Sequence, residues 1–495
     1  MQRTLFLLFA CFFCFQSAFS VTIYVNQSAT GANNGTSWAD AYVDLQDALS
    51  SAVSGDEIWV AQGTYYPTSG TSTSASFQMK NGVDLFGGFV GTETSVIGRD
   101  WRTNLTTLSG DIGTLGDSTD NSLNVVRTGT LSTPTRIDGF MIRDGNGGSG
   151  SLGGGGISGA QTTSFPIIAN CILYHNSSDR GGAMDFVFDR AVIVNCEFYG
   201  NHSRQNGGVL TFSDGTLYMI NCVMSGNSAN FGGAIYLSGG ALGSAATHEC
   251  WLHYCTFAGN HANQAGGAIT TAGTPTATVY NSIFWGNTAG LVAPNIYETS
   301  VDDTVYIHNA VVEGGYPGID VVQFDPMFVD ADGPDDMLGT PDDNLRLQAG
   351  SNSIDAGDLT WIPNDTADID YDGNTGESMS VDVDGNPRFH NSVNDRGAYE
   401  KGAPVSNEIA LPQELALSVF SVSPAHPSTI IFQLQNPEIM EIKIMDLRGK
   451  TAWETRYSAS AGRNALPLDA ELPTGVYILV VAGNHIAGVQ KFVVD

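Results

Sequence analysis

Five segments of this chain end a short apolar run on the same asparagine: ILYHN at 172–176, EFYGN at 197–201, VMSGN at 223–227, TFAGN at 256–260 and IFWGN at 283–287. These asparagines lie 25, 26, 33 and 27 positions apart. Glycine pairs fall in step with them: GGGI at 154–157, GGAM at 181–184, GGVL at 207–210, and GGAI at 232–235 and 266–269. A period in the mid-twenties, made of strand-like runs and turns without helical pattern, predicts a solenoid with one β coil per repeat.

Side-chain parity assigns the faces. In VIVNCEFYGN the alternation puts Val192, Val194, Cys196 and Phe198 on one face and Asn195, Glu197 and Tyr199 on the other. Carried through the repeats, it gives an inward column of Cys171, Cys196, Cys222, Cys255 and Ser282. Beside it runs Leu173, Phe198, Met224, Phe257 and Phe284. Parallel coils stack at roughly 4.8 Å, so like residues sit on like residues. The turn asparagine is expected to adopt left-handed backbone angles and hydrogen-bond up the stack, and the glycine pair to permit a tight turn.

With 495 residues, 59 of them glycine, the chain suits an elongated turn-rich β fold plus a small module. Its net charge of −31 disfavours nucleic acid and anionic membranes as partners and favours cations. MQRTLFLLFACFFCFQSAFS reads as a secretory signal peptide cleaved near Ser20, with a lipoprotein reading at Cys11 as the alternative. No later run is apolar over the roughly 18 residues that a membrane span needs. Cleavage leaves five cysteines, an odd number that argues against a disulfide framework. The expected state is a reduced apolar stack, with Cys250 off register and a candidate partner for Cys255.

Ahead of the repeats, Val43, Leu45, Ala48, Leu49 and Ala52 fit one helical face, as a helix capping the open end of the solenoid would. After them, residues 325–400 hold 18 Asp/Glu against three Arg. Asp330, Asp332, Asp335 and Asp336 around Gly333 offer oxygen ligands on a tight loop, the chemistry of Ca²⁺. A second candidate site is Asp368, Asp370 and Asp372 with Asn374, and a third is Asp382 with Asp384. The alternative is a solvated acidic region. We place a signal peptide at 1–20, the solenoid at 21–402 with this acidic closing segment, a linker at 403–415 and a module at 416–495.

The pairing of Gly-Gly-Ala-apolar with Phe-x-x-Asn over roughly 137–290 resembles the repeats of the chlamydial polymorphic outer-membrane proteins, which implies an adhesin-like β-helix. GGFVGTETSVIGRDWRTNLTTLSGDIG and RIDGFMIRDGN are similar to the first coils of bacterial right-handed parallel β-helix surface proteins of the pectate-lyase-like superfamily. Past residue 416 the charge evens out to six Lys/Arg against seven Asp/Glu, and strand-like runs alternate with turns, as in a small Ig-like β-sandwich. MDLRGK at 445–450, LPTGVYILVV at 472–481 and the final GVQKFVVD resemble the C-terminal sorting domain of type IX secretion cargo. That likeness implies passage across an outer membrane by the type IX machinery, then release or attachment at the cell surface. The alternative is an ordinary Ig-like accessory domain.

The expected fold is therefore all-β: a right-handed parallel β-helix with an N-terminal capping helix, then the small sandwich. Catalysis on such a scaffold needs charged groups on one outward face. The outward column after the glycine pairs is Ser158, Asp185, Thr211, Tyr236 and Thr270, with one carboxylate and no Lys or Arg. Asp185, Asp189 and Arg180 form the polar cluster to test, while Tyr174, Tyr199 and Trp285 are outward aromatics suited to stacking on sugars. His202 and His261 lie two coils apart, roughly 10 Å, too far to share a metal. The expectation is an exported binding or adhesin-like β-helix facing a glycan or a host or neighbouring cell surface. The alternative is a polysaccharide lyase or glycosidase.

Overall fold

The computed structural model describes residues 20–148, 153–159, 164–187, 190–239, 248–301, 303–389 and 393–401. In the C-terminal part it describes the strands between 413 and 494 with a few flanking residues. The chain divides into two compact units between Gly402 and Ala403.

In the first unit every coil repeats the same path. A strand of an eight-stranded sheet leads to one of a ten-stranded sheet, then to a nine-stranded sheet, and in the middle coils to a five-stranded sheet. All strands in these sheets pair in parallel, each with its counterpart one coil away; Arg190–Val194, for example, pairs with Thr216–Ile220 over all five positions. Parallel crossovers of this kind take the right hand. This is the right-handed parallel β-helix that the repeats predict.

The core columns stack as the spacing requires. Leu173, Phe198, Met224, Phe257 and Phe284 are successive register partners, all fully buried. The rings of Phe257 and Phe284 lie parallel with centroids 4.5 Å apart. Cys171, Cys196, Cys222 and Cys255 are buried and free, and burial pushes the Cys196 and Cys222 thiols well up. Cys250 is also free. It pairs in register with Leu217 and Ala277 on the ten-stranded sheet, and the candidate bond to Cys255 is not made.

The turn asparagines are buried rather than strained. The residue before each one carries the left-handed angle: His175, Gly200, Gly226, Gly259 and Gly286. This frees the amides to form an internal ladder. Asn227, for instance, accepts from Asn201 Nδ2 at 3.0 Å and donates through Nδ2 to Asn260 Oδ1 at 2.9 Å and to the Phe198 carbonyl at 3.0 Å. The two glycines of a pair do different work. Gly207 has φ +61°, whereas a Cβ on Gly208 would sit 2.2 Å from the Gly233 carbonyl of the next coil.

A second column of left-handed residues, Asn170, Asn195, Asn221, Tyr254, Asn281 and Asn309, joins the ten- and nine-stranded sheets. It resets the alternation, which corrects the parity expected for Val192 and Val194. Ile193 points into the core, while Val192 and Val194 face outward. They are nevertheless covered, because the acidic closing segment folds back as a strap over two sheets. Ala367, Ile369 and Met379 pack on Ala169, Val192, Val194 and Ile220 of the ten-stranded sheet. Leu345, Val383, Ala398 and Tyr399 pack on Val223 and Ala258 of the nine-stranded sheet.

The capping helix spans Leu45–Ser51, with Asp44 as N-cap accepting from Gln46 N–H, and it buries Leu45, Ala48 and Leu49 over the core end. Val43 precedes it and is exposed. Lys80 closes the other end, donating to the Ser50 and Ala52 carbonyls. In the second unit, Thr451–Ala459, Glu438–Asp446, Gly475–Ala482 and Ile486–Val494 form an antiparallel sheet, which Gln413–Glu414 joins in parallel. Ser418–Phe420, Thr429–Leu434 and Gly462–Pro467 form a second antiparallel sheet. Met440, Ile442 and Ile444 alternate into the interior, as a strand with one buried face must.

Candidate functional site

The outward column of the eight-stranded sheet is assembled as expected: Ser158, Asp185, Thr211, Tyr236 and Thr270 are successive partners. Arg127 precedes Ser158 and Tyr297 follows Thr270. Asp185 is buried; Oδ2 accepts from Gly153 N–H at 3.2 Å, and Oδ1 lies 3.6 Å from Arg180 Nη2 without a hydrogen bond. Burial pushes its carboxyl up to about 6, against the opposing pull of Arg180 and of the Gly153 N–H. Arg180 also reaches Ser213 Oγ at 3.4 Å, and Ser213 and Ser238 share a hydrogen bond of 2.7 Å. Asp189 lies outside the described residues. Asp185 and Arg180 are therefore brought together, as a part-buried carboxyl–guanidinium pair with hydroxyls alongside.

The expected aromatic platform divides. Tyr174 and Trp285 are half-buried on the nine-stranded sheet. Tyr199 is 1% exposed, and its hydroxyl donates to Glu197 Oε2 at 2.5 Å. The strap, through Tyr399, covers this position, so Tyr199 offers no face to a ligand.

A row of aromatics that the parity argument missed lies on the ten-stranded sheet. Its outward columns run Val192, Tyr218, Trp251, Thr278, Tyr306 and Val194, Ile220, His253, Tyr280, His308. The first residues of each are apolar and lie under the strap; the columns then turn aromatic, with Tyr218 still packed against the strap's apolar cluster. The rings of Tyr218 and Trp251 are nearly parallel, 8° apart with centroids at 6.5 Å, and Tyr306 is 53% exposed. Trp361, from the strap, stacks on Tyr280 at 4.6 Å and is 37% exposed. Burial pushes His253 down to about 4, and its Nδ1 meets the Trp361 carbonyl at 3.1 Å. The sequence signal was the alternation in TLYMI and ECWLH, once the reset at the left-handed column is known.

On the five-stranded sheet His202 and His261 are separated by Ser228. Each imidazole bonds the hydroxyl one coil on, Ser228 at 2.9 Å and Thr288 at 2.8 Å. They share no ligand position.

The acidic segment is not uniform. Among the described residues, carboxylate oxygens converge in threes at two overlapping places, Asp365–Asp370–Glu377 and Asp368–Asp370–Asp372, each set within 4.8 Å. Asp330, Asp332, Asp335 and Asp336 form no such group among those residues. Asp384 is clasped by Arg346 at 2.6 and 2.7 Å, and Asp382 accepts the N–H groups of Asp384, Asn386 and Glu400. That pair is structural.

The strand register defines the first unit as a right-handed parallel β-helix, and the second carries an export signal. Residues 424–495 match the secretion system C-terminal sorting domain family. The protein is therefore cargo of the type IX secretion machinery, exported to the cell surface or secreted. Among the described residues no helix is long and apolar enough to cross a membrane. No curated protein matches the chain. The solved structures similar to it include two enzymes. One is pectate lyase Pel9A, at 14% identity over 78% of this chain and 98% of that one, with a TM-score of 0.33. The other is a pectin methylesterase in complex with hexasaccharide VII, at 11% identity over 61% and 82%, with a TM-score of 0.28. The fold assignment rests on the strand register and not on these likenesses.

Proposed function

We propose that this exported β-helix is an adhesin-like protein that binds extracellular polysaccharide without cleaving it. The observation that carries this reading is the aromatic row on the ten-stranded sheet, Tyr218, Trp251 and Tyr306, with Trp361 of the strap beside them. Their side chains project from one sheet face over three coil spacings, roughly 14 Å. Aromatic faces bind the apolar faces of sugar rings without needing charge, which suits a scaffold with so few cationic groups on its outward columns. A second reading, a polysaccharide lyase or glycosidase, is favoured by Asp185 alone: a buried carboxyl poised near 6 beside Arg180 suits proton transfer at neutral pH.

One experiment separates the readings. The mature protein is passed over immobilised acidic and neutral polysaccharides, and the soluble glycans are analysed for new chain ends. Retention without new ends is expected, with Trp251→Ala and Tyr306→Ala each weakening it by about 3- to 10-fold and Tyr199→Phe leaving it unchanged. Retention indifferent to Trp251 and Tyr306 would overturn the binding site. New unsaturated or reducing ends that vanish in Asp185→Asn would establish the second reading.

A further inference from the structure

The loop from Asp365 to Glu377 is closed at its base. Asn364 and Ser378 form an antiparallel bridge, Asp365 N–H donates to the Glu377 carbonyl at 2.8 Å, and Met379 N–H donates to the Pro363 carbonyl at 2.9 Å. The base thus sets Asp365 opposite Glu377, and the tip brings Asp370 back to them. One carboxylate oxygen from each of the three lies within 4.8 Å of the others, and Asp368 and Asp372 form a second triad that shares Asp370. Five carboxylates occupy thirteen residues.

An acidic surface loop alone would not mark a site. The independent observation is Asp365, whose side chain is almost wholly buried, at 1% exposure for the residue. Its Oδ2 accepts from Ile369 N–H at 2.8 Å, while Oδ1 is buried and has no hydrogen-bond partner. A buried carboxylate oxygen without a donor is costly, and a cation held by the facing carboxylates removes that cost.

We propose that this loop binds a calcium ion through Asp365, Asp370 and Glu377, with Asp368 and Asp372 completing its acidic surround, and that the ion fixes the strap on the β-helix. The donors are all hard oxygens on a loop that tolerates uneven ligand spacing, which suits Ca²⁺ better than the strict octahedron of Mg²⁺. The link to the strap is Tyr371, which sits between two of these acids in the chain. Its hydroxyl donates to Asp138 Oδ2 at 2.6 Å, and the guanidinium groups of Arg99 and Arg136 lie 5.5 and 5.4 Å from its ring centroid. Asp138 is buried between those two arginines, at 2.5 and 2.8 Å. An ordered loop therefore delivers Tyr371 into a charged socket on the ten-stranded sheet.

The test uses the full mature chain, stripped with a chelator and titrated calorimetrically with Ca²⁺ and separately with Mg²⁺. Limited proteolysis, mapped by mass spectrometry, follows residues 364–378. We expect Ca²⁺, and not Mg²⁺, to protect this segment. Asp370→Asn combined with Glu377→Gln, both on side chains with solvent access, is expected to lose that protection and about tenfold or more of the affinity. Asp335→Asn, in the other acidic loop, is expected to keep both. Tyr371→Phe should bind Ca²⁺ as the parent does yet leave the segment open to cleavage. An unchanged isotherm in the double variant, or protection of the parent that ignores Ca²⁺, would overturn the ion site. Full protection of Tyr371→Phe would overturn its role in holding the strap.

Discussion

Arg388 Nη2 donates to Asn221 Oδ1 at 2.6 Å, joining residues 167 positions apart. The guanidinium is wholly buried, lies 4.4 Å from the Tyr254 ring centroid and also donates to the Gly397 and Ala398 carbonyls. The strap thus grips the left-handed asparagine column directly, and Arg396 repeats the grip at Asn309.

Arg388→Ala should therefore strip Asn221 Oδ1 and the Gly397 carbonyl of their donor in the interior, while the Ala398 carbonyl keeps the Val383 N–H. We expect a loss of about 3–5 kcal/mol in unfolding free energy, in the range for breaking a buried charged network. Chemical denaturation measures it, and proteolysis should show first cuts within 353–400. A loss below about 1 kcal/mol would mean that the strap is held elsewhere.

Two buried groups give stability opposite slopes with pH. His253 has a folded pKa near 4 against an ordinary 6.5, because burial disfavours the imidazolium. The unfolded chain takes that proton first, so stability falls as pH drops from about 6.5 to 4. Glu400 behaves oppositely. Burial, aided by Asp395 and Asp382, pushes its carboxyl from 4.5 up to about 8 despite Arg388. The folded chain keeps the proton longer, so stability falls as pH rises from about 4.5 to 8. Each slope is at most about 1.4 kcal/mol per pH unit. Unfolding midpoints between pH 4 and 9 should show His253→Phe flattening the acid limb and Glu400→Gln the alkaline one.

Thiol titration tests the cysteine stack. The mature protein should present no reactive thiol while folded and five after denaturation, since Cys171, Cys196, Cys222, Cys250 and Cys255 are all buried and free. Fewer than five after denaturation without reductant would reveal a disulfide.

Periodicity made the β-helix readable, because each coil restates the same instructions and Phe198 or Phe257 can be checked against its neighbours. What repetition did not encode was harder to see. Asn195, left-handed in mid-run, silently exchanges the faces of the residues on either side, so plain alternation puts Val192 and Val194 inward although they face outward. Tyr199 looked like an exposed platform because its cover comes from Tyr399, 200 residues further on. The reach of Arg388 to Asn221 is equally non-local. Alternation along one strand describes that strand, and only tertiary packing decides which outward face stays wet. The loop at 365–377 lay between these cases: its acids were plain, but the pairing of Asp365 with Glu377 required the closed base.

The amide ladder runs past the longest repeat without a break. Asn227 N–H donates to Asn260 Oδ1 at 3.0 Å across 33 positions, as Asn201 N–H does to Asn227 Oδ1 at 2.9 Å across 26. The surplus enters at one corner, between the strands Ile235–Ser238 and Glu249–His253, where ten residues (239–248) intervene. In the coil before, only two (214–215) do. The extra length is thus absorbed at that corner while the rungs above and below keep their hydrogen bonds, so the length of a coil is decoupled from the spacing of the stack.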